Sequence, residues 1–563
     1  MQVSMSKQIV WGVVLVLALT IGSALGREKW PQATEEAKRE LAAMKQHEEE
    51  VWKRVEPEIA AWAKKGKPFI PSASKPSDLP QATVPAFPGA EGGGKFSFGG
   101  RGGKVFVVTS LEDSGPGTLR EAVESAGPRI VVFNVAGIIR LKMPIFAEAP
   151  YLTIAGQTAP GDGVCIAGNS LHVNTHDVVL RYLKFRRGNT NVFDRESCVC
   201  GNPVGNIMID HCSAAWGNDQ TLDTYRHMYQ PTNSGAAQKL PTVNDTIQWC
   251  LITEALDLNN HAFGGDWGGR NTAFHHNLFA CNTGRNPSIA MTYDFNFVNN
   301  VLFNWRHRSV DGGDERSLIN CINNLYKPGP ATQDNAVRYR IVQPSQSWSK
   351  ANPVSRWGKA YVAGNIVEGN PKVTADNWAG GVQFSAAPDP QADGSLAKGL
   401  INHPEQLEKI IAQVRVDKPF PMPAVTMTSA QEAYTAVLEN AGATLPRRDA
   451  IDERAVRQTK TGEVDYKEGK GIITDISQVG GYPEYKGEPA KDVGPDGIPL
   501  WWKLKYHLDP KNSTLASKDL DGDGYTVIEK YLNGLAPGKK IDWKDPKANE
   551  NTLTVSSFLT ARQ

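Results

Sequence analysis

Between Val84 and Asn370 the apolar residues fall into short β-rich runs separated by turns. The runs are Lys104 to Ser110, Arg129 to Val135, Leu152 to Ala155, Val178 to Phe185, Asn206 to Ser213 and Thr246 to Thr253. They continue with Thr272 to Phe279, Phe295 to Phe303, Ser317 to Tyr326 and Ala360 to Val367. The later runs share one motif: His276-Asn277-Leu278-Phe279, Asn299-Asn300-Val301-Leu302-Phe303, Asn323-Asn324-Leu325-Tyr326 and Gly364-Asn365-Ile366-Val367. Its asparagines Asn277, Asn300 and Asn324 recur at steps of 23 and 24 residues, a solenoid period. Asn at the same bend of successive coils can ladder its amide hydrogen bonds and tolerates the left-handed backbone conformation. An antiparallel sandwich would favour two-residue Asn-Gly hairpins, which are scarce, so the pattern predicts a β-solenoid.

The flanks read differently. Glu35 to Lys65 is charged with apolar residues at helical spacing, including Leu41, Met44, Val51 and Trp52, and predicts an amphipathic helix acting as a spacer. Pro-rich sequence up to Pro88 follows as a linker or strap. After Asn370 the strand pattern stops. Pro404 to Val414 and Ser429 to Ala441 look helical, and the charged stretch Arg447 to Arg457 is expected to pack along the solenoid or cap it. From about Asp492 a small module carries Asp519-Leu-Asp521-Gly-Asp523-Gly524, a calcium-loop pattern with a helix expected at Thr526 to Asn533. Its twelfth position, normally a bidentate carboxylate, is Lys530, and Glu529 sits one residue early. At the other end, Lys7, the apolar run Ile9 to Ile21 and the small residues Gly22 to Gly26 have the layout of a secretory signal peptide. The expected segments are therefore 1–26 signal peptide, 27–83 helix and linker, 84–370 β-helix, 371–491 extension and 492–563 C-terminal module. The mature chain is expected outside the cytoplasm (secreted, periplasmic or at the cell surface), with no membrane association and as a monomer.

Charge narrows the partner. The 563 residues hold 61 Lys plus Arg against 60 Asp plus Glu, which gives no electrostatic footprint for nucleic acid. Seven cysteines lack zinc-finger spacing, and most sit in strand-like runs where Cys behaves as a small hydrophobe; no disulfide can be assigned.

Several segments, in order, resemble one family. Ala86-Phe-Pro-Gly-Ala-Glu-Gly-Gly-Gly94, Gly115-Pro-Gly-Thr-Leu-Arg-Glu-Ala122, Ile154-Ala-Gly-Gln-Thr-Ala-Pro-Gly161, Ile209-Asp210-His211 and Tyr326-Lys-Pro-Gly-Pro-Ala-Thr332 look like the pectate lyases. They match the branch common in bacteria that digest complex plant and algal polysaccharides. The resemblance implies an all-β, right-handed parallel β-helix, a single-stranded solenoid with helical extensions, whose active site lies on one lateral face. It also implies Ca2+ as cofactor and an acidic polysaccharide, pectate first, as substrate.

The chemistry of such a reaction can be placed on residues. Elimination across a uronic acid linkage needs a cation to neutralise the carboxylate, a base for the C5 proton and support for the leaving oxygen; calcium with carboxylate ligands suits the first task. By resemblance, Asp219 and Asp223, with Asp194 and Glu196 before them, stand at the family's calcium ligands, although Glu196 replaces an Asp. Asp519, Asp521 and Asp523 are the candidates for a separate structural calcium. Arg285, two residues before Pro287, falls at the family's base, and it needs cationic surroundings to lose its proton. His261 stands where the family has a substrate-binding Lys, and it can bind substrate or act as an acid. A further family Arg, five residues after the base, is here Ala290; Arg306, Arg308 or Arg316 from the next coil are the candidates to replace it. Asp210 and His211 read as a structural pair beneath the site. Two other readings are a β-helix glycoside hydrolase, with paired carboxylates and no calcium, and a non-catalytic carbohydrate-binding surface protein.

Overall fold

The computed structural model describes residues 34–190, 197–231, 235–258, 261–349, 352–385 and 399–549. The expected signal peptide, and Asp194 and Glu196, lie outside these residues.

The repeating runs coil into a parallel β-helix. One sheet stacks ten parallel strands from Lys104–Val108 to Lys359–Ala363, and a second stacks nine from Gly137–Arg140 to Ile366–Val367. A third face begins with Ile145–Ala147, Leu171–Val173 and Val199–Gly201, and resumes with Asp266–Gly268, Ser288–Ala290, Val310–Gly312 and Val342–Pro344. Single bridges from Val199 to Leu222 and from Thr224 to Trp267 join the two parts and put Asp223 between them. Alternation sends every second residue inward, so like residues pile up along the axis. Val131, Ile154, Leu180, Ile209, Ile247 and Phe274 pair in register down the first sheet, all within the main core.

The bends explain the asparagines. Asn277 Nδ2 donates to Asn300 Oδ1 (3.0 Å), Asn300 to Asn324 (3.1 Å) and Asn324 to Asn365 (2.8 Å), the ladder that the spacing predicts. The same bend is occupied upstream by Cys250 and Cys212, where the Cys250 thiol sulfur accepts the Cys212 N–H. Just before the ladder residue, each coil turns through a left-handed residue: Tyr182, His211, Trp249, His276, Asn299 and Asn323 all have φ near +50°. Ring stacking supports the aromatic ones, with Trp249 4.2 Å from His276. A second polar ladder (Asn206, Asn244, Asn271) runs along the start of the first sheet and carries no sequence signature beyond single asparagines.

The flanking segments cover the helix rather than hang from it. Helix α1 (Glu35–Ala63) buries Val51, Trp52, Val55 and Ile59 against Phe146 and Val204, brings His47 Nε2 to 2.9 Å from Glu124 Oε1 and donates from Arg54 to the Glu124 carbonyl, so it is packed on the solenoid and not a spacer. Helices α2 (Pro404–Val414) and α3 (Ala430–Asn440) form where helix is expected, within a residue, and the charged stretch after them is also a helix, α4 (Ala450–Thr461). Val437 and Ala455 of α3 and α4 pack on Leu251, Leu278 and Val301 of the second sheet. Buried ion pairs lock that contact: Arg186 to Asp449 and Asp452, and Arg454 to Glu254. The C-terminal module sets Ile498, Trp502, Ile528 and Tyr531 on Ile130, Val132 and Ala155, the outer face of the first sheet. All seven cysteines are free thiols, six of them buried. Among the described residues, no helix is long and apolar enough to cross a membrane.

Candidate active site

The third face carries the charge. Register aligns Asp266 with Ser288 and Ser288 with Asp311, and the flanking bridges place Asp223 beside Asp266. Polar residues can line up on one strand face because the alternate positions, such as Trp267 and Ile289, point into the core. Around the turn that leads into this face, successive coils bring up Asp219, then His261 and Phe263, then Arg285, then Arg308. Phe263 N–H donates to the Asp219 carbonyl (3.0 Å), and the N–H groups of His307 and Arg308 donate to the Thr283 carbonyl (2.9 and 3.3 Å).

Arg285 Nη1 donates to Asp266 Oδ2 at 2.7 Å, and Asp266 also accepts from Gln220 Nε2 at 2.9 Å. The Asp266 N–H in turn donates to Asp223 Oδ1 (2.6 Å), whose other oxygen accepts from Ser197. His261 Nδ1 lies 2.7 Å from Asp219 Oδ1. Burial, then the adjacent Asp266 carboxylate, push Asp223 above the usual carboxylate range; burial also raises Asp266, although Arg285 opposes it. Burial disfavours charge on Arg285, but Asp266, Asp219 and Asp223 more than offset it and hold the guanidinium above its ordinary value. The surroundings of Arg285 are therefore acidic, where the sequence reading asks for cationic ones.

The structure thus gathers Asp219, Asp223, His261 and Arg285 on one edge. It adds Asp266, which sequence reasoning passed over. The signal was the isolated carboxylate in Gly264-Gly265-Asp266-Trp267, one coil on from Asp223, and only stacking reveals its partner. Asp210 and His211 do not lie beneath this site. They sit at the bend between the first and second sheets, where Asp210 binds His211, Arg181 and Gln248, and where His211 and Arg181 overcome burial to depress its carboxyl.

Two clusters of carboxylates are the candidates for calcium. At the third face the donor chemistry suits a hard divalent ion: Asp219, Asp223 and Asp266 bring three carboxylates together around Arg285. In the C-terminal loop, Asp519, Asp521 and Asp523 each place an oxygen within 4.8 Å of the others, the one such group of three among the described residues. There, however, the buried Lys530 ammonium is hydrogen-bonded to Asp521 and lies 3.1 Å from Asp523 Oδ2, while Asp519 accepts the N–H groups of Gly522 and Gly524. A divalent ion would have to displace an ammonium group, so this donor set does not fit one. A separate groove of about 960 Å³ is lined by Arg306, Asp334, Arg338, Glu468 and Lys470 and by none of the residues of this row.

No family model matches the chain. It is 34% identical over 484 residues to "Probable pectate lyase C" of Aspergillus fumigatus, covering 84% of this chain and 99% of that one. The corresponding protein of Neosartorya fischeri is 33% identical over 481 residues, covering 84% and 98%. "Probable pectate lyase 5" of Arabidopsis thaliana matches a shorter stretch, 32% over 154 residues, covering 24% and 37%. These relatives are fungal and plant proteins rather than members of the bacterial branch that the motifs suggest. Among solved structures, the cedar pollen allergen jun a 1 aligns with a TM-score of 0.38 and 18% identity, covering 63% of this chain and 92% of that one.

Proposed function

The chain belongs to the pectate lyase family, and from that premise we propose that it is an exported lyase that cleaves a polyuronate, pectate first, by calcium-assisted β-elimination. The observation that carries the reading is the Arg285–Asp266–Asp223 row, with His261 on Asp219 beside it. Asp219 and Asp223, with Asp194 and Glu196, would hold the calcium. When bound, calcium neutralises the substrate carboxylate and makes the C5 proton more acidic.

The remaining work falls to the chain. Asp266 fixes the Arg285 guanidinium by a direct ion pair. Asp219 and Asp223 are among the carboxylates that hold Arg285 protonated, so a cation on them would weaken that hold, and Arg285 would give its proton to solvent before accepting the one from C5. His261, oriented by its Nδ1 bond to Asp219, supports the departing oxygen. A hydrolase with paired carboxylates would have no need of an arginine held at the end of the row.

The test is an elimination assay over a panel of polyuronates, read by ultraviolet absorbance of the unsaturated product, with and without a calcium chelator. Absorbance that rises on polygalacturonate and is abolished by the chelator is expected. Elimination that survives the chelator would remove calcium from the account.

A further inference from the structure

We propose that Arg308 supplies a second guanidinium for the substrate carboxylates, in place of the charge missing at Ala290, and that Phe263 is the platform holding it beside Arg285. The inference rests on the polyuronate reading above. Of the three arginines open to this role, Arg306 is committed to Asp257 (2.6 Å), and Arg316 lies on Asp314 and over Tyr293, near the start of a first-sheet strand. Arg308 is the one brought to the site.

Its guanidinium carbon lies 4.7 Å from the centre of the Phe263 ring, and that of Arg285 lies 4.6 Å from the same centre, which bounds their separation at about 9.3 Å. A ring face attracts cations, so one phenylalanine can hold two groups that would otherwise repel. His261, 4.6 Å from that ring between centroids, makes Phe263 the common neighbour of the base, the acid-side histidine and Arg308. Asp311 supplies the counter-charge: its Oδ2 lies 3.1 Å from Arg308 Nη1, and its Oδ1 accepts from Ser288 Oγ at 2.6 Å.

Gly284 makes the crossing possible. A Cβ there would meet Arg308 Nε at 3.0 Å and Cβ at 3.2 Å, so a methyl group would push the side chain off its course. Arg308 keeps a quarter of its side chain exposed, as does Arg285, so both present donors to solvent. The neighbouring His307 is held uncharged, since burial and then Arg308 and Arg306 push it down to about 4. An acidic polysaccharide carries a carboxylate on each sugar, and the planar guanidinium fork suits a carboxylate bidentately. Arg285 and Arg308 would thus address carboxylates along one polyuronate chain.

The experiment compares Arg308→Gln, Arg308→Lys and Gly284→Ala with wild type in steady-state elimination of polygalacturonate and in calorimetric binding of trigalacturonate at fixed calcium. Arg308→Gln should raise KM and weaken binding about tenfold while kcat falls less than about threefold, with partial rescue by Lys. Gly284→Ala, which keeps the arginine but displaces it, should raise KM in the same direction. Unchanged KM and binding in Arg308→Gln, or a loss confined to kcat, would overturn the role of Arg308. A wild type that eliminates no polyuronate would instead overturn the functional reading itself.

Discussion

At the scale of single residues, burial decides which charges the fold tolerates. Asp245 points into the β-helix from the strand Val243–Gln248, fully buried, and neither carboxylate oxygen has a hydrogen-bond partner of good geometry among the described residues. Burial pushes its carboxyl up to about 8, against a weaker pull from Thr224. Unfolded, the same group ionises near 3.8, so between about 4 and about 8 the folded state holds the extra proton. Its contribution to stability is complete below the unfolded value and is lost as pH rises through that window, at about 1.4 kcal/mol per pH unit as an upper bound. Asp245→Asn should therefore raise Tm by a few degrees at pH 8 and hardly at all at pH 4, as read by thermal unfolding; equal shifts at both would contradict the assignment. Neither this residue nor Asp266 was legible in the sequence. Each is an unremarkable Asp until the coils stack, whereas Asp219, Asp223 and Arg285 announce themselves by motif.

At the scale of elements, periodicity was the readable signal and partnership was not. The Asn277–Asn300–Asn324 ladder follows from spacing alone, because equal coils must put equal residues at equal bends. The C-terminal loop was read from the same kind of local pattern and came out differently, since what fills it comes from the next helix. Lys530, at the position of the missing carboxylate, places its ammonium on Asp521 and Asp523 with 2% of its side chain exposed. Breaking a buried pair on one side typically costs about 3 kcal/mol. Lys530→Met should accordingly loosen residues 519–533, seen as faster amide exchange there, and calcium should not slow exchange in the wild-type loop. Calcium-dependent protection of the wild-type loop would restore the metal reading.

At the scale of the whole molecule, the extensions decide where chemistry can happen. Helices α3 and α4 cover the second sheet, the C-terminal module covers part of the first, and α1 packs near the start of the third. The later strands of the third face carry the Asp223–Asp266–Arg285 row. The sequence showed that these segments exist; it could not show which face each one closes, because that depends on contacts hundreds of residues apart, such as Arg186 with Asp449. The central claim is elimination at this row with Arg285 as its base. The direct measurement is ultraviolet absorbance of products released from polygalacturonate by wild type and by Arg285→Ala, with calcium present. The account predicts a steady rise for wild type and a fall of at least about a thousandfold in kcat for the variant, at unchanged folding. Chain cleavage without absorbance, or a variant as fast as wild type, would contradict it.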